Sequence, residues 1–495
     1  MNAKKNKTLK QKAASGMVWT ALQRYSTMGI KFISGIILAR LLTPHDYGCI
    51  GMLSLFMVLA EAFIDGGFGS ALIQKKQPTQ EDYSTIFYWN LGMAALMYVV
   101  LYFSAPAIAR FYDIELLCPV LRVQGLVLFI YAFNIVQRNQ LRKNLNFKVL
   151  SIVTITTALV ALSVTIYMAY KGFGVWALVA QNIITAAIPA VVFWFFIKWR
   201  PILAFSWKSF KELFSFGFYM FLTNIINQFC SKIGRLLIGK VYSPATLGYY
   251  SKAVSTEELA SHSISSVMTQ VTYPLYVQVQ DDKVALGNMI KRLTMSLSYV
   301  TFPLMFILIL TAKPLFILLY SDRWVQSIPY FQVLCIVGLS SCLQAVNTQP
   351  IAAIGKSKEM FLWSLAKRTV GLVYMIGGLF LYGIKGFLAG VIIYNWVCYF
   401  VNIGLVSKYI GYKWTRQLLD LMPVTVVSVL AFIVCYVVGK WLGLSMYLDG
   451  LIKILLYLAI YLGWSFAFKP ESYKYMLTIV PKRFRFWERN KTKNL

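Results

Sequence analysis

The residues able to do chemistry in this 495-residue chain are charged side chains lodged inside long apolar runs. Arg24, Lys31, Glu61, Asp65, Lys232, Arg235, Lys252, Glu257 and Glu258 are nine of thirteen such charges, and Arg122, Lys367, Arg368 and Lys453 complete the set. An ionisable group at a bilayer centre costs about 2.5–3.5 kcal/mol on insertion scales, so these groups must face a wet cavity or one another. Arg24 and Lys31 are seven residues apart and share a helical face. Asn224, Gln228, Ser231, Lys232 and Arg235 recur at helical spacing and form a polar stripe opposite Phe221, Leu222 and Ile225. Guanidinium and ammonium groups in a partly dehydrated cavity suit an anionic headgroup, which Arg can grip through two oxygens at once.

The candidate substrate-binding set is therefore Arg24, Lys31, Asn224, Gln228, Lys232 and Arg235. Glu61 and Asp65, four apart on one face, and Glu257 or Glu258 with His262 nearby are candidates for holding a proton or Na⁺ as a coupling ion. Interhelical pairing, such as Lys31 with Asp65 or Arg235 with Glu258, is the alternative that leaves these charges structural. Arg122, Lys252 and Lys453, near span ends, are expected to snorkel towards water.

No other chemistry is encoded. Seven cysteines are scattered without C-x-x-C pairs, and only His45 and His262 are available as histidine ligands, so neither a metal site nor a histidine triad is expected. Neither a phosphate-binding P-loop nor G-x-S-x-G is present. No cofactor is expected beyond H⁺ or Na⁺.

The elements that position these charges follow from composition. The net charge is +30, yet only 13% of residues are charged and 58% are hydrophobic, which excludes an ordinary soluble protein, where about 25% are charged. The apolar runs are about 20 residues long, the length of a membrane-crossing helix, not the ~10-residue alternating segments of a barrel. Fourteen helices are expected, near 15–40, 49–72, 83–104, 116–137, 148–170, 174–197, 212–239, 247–277, 287–310, 324–347, 359–382, 386–407, 421–440 and 448–468. Assigning Lys and Arg to this map with the N-terminus inside puts 31 of 48 on the cytoplasmic side and 8 on the other, so both termini are expected in the cytoplasm. The first apolar stretch lacks a small-residue cleavage motif and is expected to be retained as a span.

An internal duplication organises the spans. ILARLLTPHDYGCIG at 37–51 and LLIGKVYSPATLGYY at 236–250 align at an offset of 200, bringing Arg40 onto Lys240, Pro44 onto Pro244 and Gly48 onto Gly248. Later, KGFGVWALV at 171–179 and YGIKGFLAG at 382–390 align at 211, with Gly172 on Gly383 and Trp176 on Phe387. A duplicated unit with an even number of spans enters the membrane twice from the same side, a parallel repeat with a cleft between two bundles. The expected organisation is a basic N-terminus at 1–14, a six-helix lobe at 15–205, a second at 206–410, two further spans at 411–470 and a basic tail at 471–495. From Lys469 onward the chain mixes eight Lys or Arg with Phe484, Phe486 and Trp487, which suits an anionic membrane surface or a disordered end.

Together the fourteen spans, the duplicated lobes, the LLTPHDYG turn, GFGVWALVAQ and the cations on helices 1 and 7 resemble the bacterial polysaccharide flippases of the multidrug/oligosaccharidyl-lipid/polysaccharide exporter superfamily. The resemblance implies a non-enzymatic transporter of the bacterial inner membrane. It would carry undecaprenyl-pyrophosphate-linked oligosaccharide, for O-antigen, capsule or exopolysaccharide, from the cytoplasmic to the periplasmic leaflet. Arg24, Lys31, Lys232 and Arg235 would hold the pyrophosphate and adjacent sugars, helices 13 and 14 would groove the lipid tail, and a polysaccharide polymerase and chain-length proteins would be partners. Nothing points to nucleic acid. A lipid II-type flippase, a cation-coupled drug antiporter of the same superfamily, and a membrane polysaccharide polymerase or ligase are the alternatives. The antiporter would favour acidic lining, and the polymerase a sizeable outer loop.

Overall fold

In hydrocarbon every backbone N–H and C=O has to be satisfied within its own segment, which leaves helix as the economical form for these apolar runs. The computed structural model describes residues 9–75 and 77–479, and every regular element among them is helical. The first ten helices are α1 (Leu9–Leu41), α2 (Pro44–Asp65), α3 (Phe68–Gln74), α4 (Gln80–Tyr112), α5 (Leu117–Gly125), α6 (Val127–Lys143), α7 (Phe147–Tyr170), α8 (Val175–Phe196), α9 (Trp207–Val241) and α10 (Pro244–Gln278). They are followed by α11 (Lys283–Leu310), α12 (Ala312–Tyr320), a 3-10 turn at Asp322–Ser327, α13 (Ile328–Ala353), α14 (Ser357–Ile410), α15 (Trp414–Leu442), α16 (Met446–Phe468) and α17 (Glu471–Ile479). Ten helices among the described residues are long and apolar enough to cross a membrane, so the protein is a multi-pass membrane protein.

Several boundaries depart from the sequence-based map. The span expected at 116–137 is broken into α5 and α6 and runs on to Lys143. The two spans expected at 359–382 and 386–407 are present as the two helical arms of α14, which are parted by a reversal through non-helical backbone at Tyr382 (φ −131°, ψ 17°) and Gly383 (φ 62°, ψ −147°). Gly378 and Gly386 permit that reversal, because a Cβ on either would lie within 2.3 Å of the other's carbonyl oxygen. Gly174, just before α8, has nearly the same conformation (φ 53°, ψ −128°), a region open essentially to glycine alone. By backbone conformation Gly174, not Gly172, is the counterpart of Gly383, which moves the second repeat alignment by two residues. The start of the tail is ordered: α17 packs on α11, with Glu471 2.7 Å from Lys291 and Tyr475 beneath Arg292. The tail from residue 480, the N-terminal eight residues and the His262 side chain lie outside the described residues.

The helices pack as two compact units, one ending at Ser251 and one beginning at Lys252, a division that falls within α10. In the first, α2 is central and contacts α4, α6, α8 and α9, while α7 lies between α1 and α8. In the second, α13 packs on α11 and α14, and α11 also carries α15, α16 and α17.

The duplicated turn is visible as a reciprocal contact inside the first unit. Thr43 caps α2 in a capping box, its Oγ1 accepting from the Asp46 N–H while Asp46 accepts from the Thr43 N–H at 2.9 Å. At the offset of 200, Ser243 Oγ accepts from the Thr246 N–H at 3.2 Å at the start of α10. Pro follows each cap, at the first helical position where its missing N–H costs nothing. One turn on, a Cβ on Gly48 would meet the Pro244 carbonyl oxygen at 1.9 Å, and a Cβ on Gly248 would meet that of Pro44 at 1.9 Å. Each copy's glycine thus receives the other copy's proline.

Gly48→Ala or Gly248→Ala should therefore destabilise the detergent-solubilised protein by about 2 kcal/mol or more, since backbone atoms cannot yield as a side chain does. Gly29→Ala, where a Cβ meets nothing within 4 Å, should be neutral or slightly stabilising. Thermal unfolding followed by size-exclusion fluorescence distinguishes these outcomes.

Candidate functional site

Long helices can wet a membrane interior only by turning polar faces towards a shared gap. The first unit contains such a gap, a cavity of about 660 Å³ walled by α1, α2, α5, α6, α7 and α8. From α1 come Gln23, Thr27 and Lys31, each one turn beyond the last. The other side of α1 presents Val18, Leu22, Tyr25 and Ile33, all strongly exposed, as an apolar stripe suited to lipid. From α2 come Ser54, Met57, Val58 and Glu61, and from α6 Tyr131, Asn134 and Arg138. Thr154 and Thr157 of α7, with Asn182 and Thr185 of α8, complete the polar lining.

Three ionisable groups line this cavity: Lys31, Glu61 and Arg138. None of them forms an ion pair among the described residues. Asp65, one turn beyond Glu61, faces the backbone N–H groups of Gly67 and Gly69 and the charge of Arg142. Glu61, Asp65, Arg138 and Arg142 all act electrostatically on Tyr131, so two carboxylates and two guanidinium groups gather around one phenol. The cavity also holds polar atoms without a protein partner. Gln124 Oε1, Asn134 Oδ1 and Thr157 Oγ1 are buried with no hydrogen bond, and their residues are 5%, 6% and 3% exposed. Such atoms are rare in native interiors and call for water or a ligand.

Of the sequence-derived candidates, Lys31 and Glu61 therefore meet in one cavity. Arg24, next to Gln23 on α1, is half-buried and is not among the lining residues. Asn224, Gln228, Lys232 and Arg235 are half-buried along α9, where Gln228 Nε2 lies 3.5 Å from Asn224 Oδ1. In the second unit Glu257 is buried, its Oε1 without a hydrogen bond and facing Gly338, where an added Cβ would come within 2.7 Å of it; Glu258 is exposed. The pair Lys31–Asp65 does not form among the described ion pairs.

Three charges expected to snorkel are held locally instead. Lys252 is only 5% exposed and places Nζ 4.1 Å from the Tyr320 ring centroid and 5.5 Å from that of Trp324. Lys453 pairs with Asp449 at 2.6 Å, and Arg122 lies over Tyr102 at 4.2 Å. Arg138, Arg142 and Tyr131 escaped the sequence analysis because RNQLRK reads as a basic loop. The available signal was the helical spacing of Val127, Tyr131, Asn134 and Arg138 across the assumed helix end.

At one end of this unit Lys75 bridges two helices, lying 3.0 Å from Asp82 of α4 and 3.1 Å from Glu212 of α9. Partial burial alone would lower the Lys75 pKa, but its hydrogen bonds to Asp82 and Glu212 and their charges outweigh it, so the net direction is up. Lys143 Nζ donates to the carbonyl of Leu72 at 2.9 Å and to that of Lys75, closing the end of α3.

If the cavity is wet, single cysteines at Ser54 and Thr154, both half-buried in its lining, should react with a small charged methanethiosulfonate, in a background lacking Cys118 and Cys230. Cysteines at Ile64 and Val136, both 0% exposed, should stay unlabelled. Mass spectrometry of the intact protein reads the difference.

Comparisons with known proteins agree with this architecture. Residues 37–329 match the model of a family described as polysaccharide biosynthesis protein. The teichuronic acid biosynthesis protein TuaB of Bacillus subtilis (strain 168) is 25% identical over 377 residues, 76% of each chain. The lipopolysaccharide biosynthesis protein WzxC of Escherichia coli (strain K12) is 22% identical over 442 residues, 87% of this chain and 88% of its own. Among solved structures, the lipid II flippase MurJ in its inward closed conformation superposes with a TM-score of 0.73 at 14% identity, covering 91% of this chain and 98% of MurJ. The helical arrangement is thus that of the MurJ-type transporter fold, and the chain, matched over more than half its length, belongs to the polysaccharide biosynthesis protein family.

Proposed function

We propose that this protein is a flippase that moves a polyprenyl-pyrophosphate-linked oligosaccharide from the cytoplasmic to the periplasmic leaflet of the bacterial inner membrane. The observation that carries the reading is the cavity bearing Lys31, Glu61 and Arg138 among amides, hydroxyls and apolar side chains inside long helices.

In this proposal the chain crosses the membrane fourteen times. Ten helices qualify by hydropathy. The reversal at Gly383 divides α14 into two spans, and α1, α9 and α10, of 33, 35 and 35 residues, add three. Each of these three helices carries candidate charges, Arg24 and Lys31 on α1, Lys232 and Arg235 on α9, and Glu257 and Glu258 on α10, as expected of walls around an aqueous path. An even count and the Lys and Arg distribution support a reading with both termini in the cytoplasm.

Lys31 and Arg138, with Arg24, Lys232 and Arg235 as further cations along α1 and α9, would engage the pyrophosphate and acidic sugars. Gln124, Asn134 and Thr157 would accept hydrogen bonds from sugar hydroxyls. Helices α15 and α16, largely exposed within their own unit, would face the lipid tail. Alternating access would carry the headgroup across, and the membrane potential assists, since moving one charge through ~100 mV is worth about 2.3 kcal/mol. Among the four carboxylates considered for ion coupling, Glu257 fits best, being buried with an unpartnered oxygen.

In a host whose surface glycan depends on this gene, Lys31→Ala with Arg138→Ala should lower glycan display at least about tenfold, the equivalent of one charge-assisted hydrogen bond of about 1.5–3 kcal/mol. Arg24→Ala with Arg235→Ala should do likewise, with Lys replacement rescuing partly. Undecaprenyl-linked intermediates should accumulate on the cytoplasmic face. Normal display from both double variants at wild-type membrane levels, or export of cationic dyes with display unaffected by gene deletion, would defeat the proposal.

A further inference from the structure

The second unit contains a small polar cavity that the proposed transport path does not use. It measures about 80 Å³ and is walled by α13 and the two arms of α14, with Asn347, Thr348, Ser364, Lys367 and Asn402 supplying its polar lining. A water molecule's share of liquid is roughly 30 Å³, so the space admits one small ion with at most a water beside it. A sugar or a pyrophosphate does not fit.

Its hydrogen-bonding inventory is one-sided. Lys367 Nζ donates to Asn402 Oδ1 at 2.6 Å, which spends one ammonium proton and leaves two. Asn402 is 2% exposed, and its Nδ2, turned away from the lysine by that contact, is buried with no acceptor. Asn347 Oδ1 accepts from Gln417 Nε2 at 2.7 Å, and the Thr348 hydroxyl donates to the Gln344 carbonyl at 3.0 Å. The Thr348 and Ser364 hydroxyls keep acceptor lone pairs, but the wall has no charged acceptor, and its unspent N–H donors include those of Lys367 and Asn402.

Charge points the same way. No carboxylate lines the cavity, and neither Lys367 nor the adjacent Arg368 belongs to an ion pair among the described residues. Two other helix lysines of this unit have carboxylate partners, Lys453 with Asp449 and Lys291 with Asp420 and Glu471. A cation without a counter-charge at membrane depth is expensive. Water would accept the hydrogen bonds and leave the charge uncompensated, whereas a monovalent anion satisfies both.

We propose that this cavity binds a single halide-sized anion, chloride under physiological conditions, held by Lys367 Nζ and Asn402 Nδ2 as the counter-ion of the second unit. The proposal stands independently of what the first unit transports.

The test uses the full-length protein purified in detergent and exchanged between sodium chloride and sodium gluconate at constant ionic strength. Chloride and bromide should raise the thermal midpoint saturably, gluconate should not, and the ³⁵Cl resonance should broaden on adding wild-type protein. Lys367→Met and Asn402→Leu should lose both responses, and Lys367→Arg should keep them. Wild-type protein with no halide-specific shift and no broadening would overturn the proposal, as would an equal halide response in Lys367→Met. Protection by inorganic phosphate but not chloride would overturn the halide assignment. Should a variant fail to fold, the ³⁵Cl broadening of the wild-type protein, competed by bromide and not by gluconate, decides alone.

Discussion

The constraint on which this molecule is built is the expense of placing charge within a hydrocarbon layer, and each intramembrane cation is a local solution to it. Lys453 takes an aspartate one turn away, Lys252 sits over two aromatic rings, and Lys367 leans on an amide. Lys31 and Arg138 share a cavity with Glu61 and a ring of amides and hydroxyls. These solutions differ in consequence. A cation seated on Tyr320 and Trp324 is consumed by the fold, because its surroundings are filled. A cation lining about 660 Å³ of open space keeps donors for something else. The distinction between structural and functional charge therefore lies in the space beside each group, more than in its burial.

That space depends on the angle between α1 and α2, since Gln23, Thr27 and Lys31 lie on one and Ser54, Met57 and Glu61 on the other. The angle is set at the turn between them. The Thr43–Asp46 capping box fixes how α2 begins, and Gly48 lets the α10 backbone press against it. Gly174 closes the same end from another side, where an added Cβ would come within 3.0 Å of Asp46 Oδ1. One aspartate thus joins the α2 cap to the turn before α8, itself a wall of the cavity. At the other end of α2, Gly67 allows Gly217 of α9 to approach so closely that a Cβ would meet its carbonyl at 2.1 Å. Small residues at both ends hold α2 and α9 together, the usual means of close packing where lipid provides no hydrophobic drive.

Much of this was legible in the sequence, for reasons that also explain the rest. Hydropathy exposes a span because lipid contact demands apolar faces, and charge inside a span stands out against them, so Lys31 and Glu61 were found. The turn at Pro44 and its copy at Pro244 were legible because caps and glycines respond to local backbone geometry. Arg138 was not, since hydropathy ends a helix where polarity rises, while the real α6 continues to Lys143 with its polar side turned towards the cavity. Gln124, Asn134 and Thr157 are lone polar residues in apolar runs, and only three-dimensional packing distinguishes an unpartnered amide from a satisfied one. The register of Gly174 and Gly383 required dihedral angles, because neighbouring glycines at 172 and 174 are equivalent as letters. Docking of α17 depends on Lys291 and Tyr299, far away in sequence.

The arrangement of charge around Tyr131 has a bearing on what kind of site this is. A receptor for a phosphorylated headgroup gains from cations alone, since tight binding is its purpose. A carrier must also release, and binding that is equally strong in every conformation moves nothing. Glu61 and Asp65 act on the same phenol as Arg138 and Arg142, so with Lys31 the cavity's cations are largely, though not fully, offset by its carboxylates. On the proposed function, an entering anion would displace attractions that already exist, and its net gain would be smaller than the sum of its contacts. Small changes in the distance between α2 and α6 would shift the guanidinium groups between carboxylate and cargo. Because Gly69 permits Asn139 of α6 to come close to Asp65 of α2, with an added Cβ lying 2.8 Å from Asp65 Oδ1 and 3.1 Å from Asn139 Nδ2, those helices meet where such a movement would register. Opposed charges in one cavity therefore favour transport over storage.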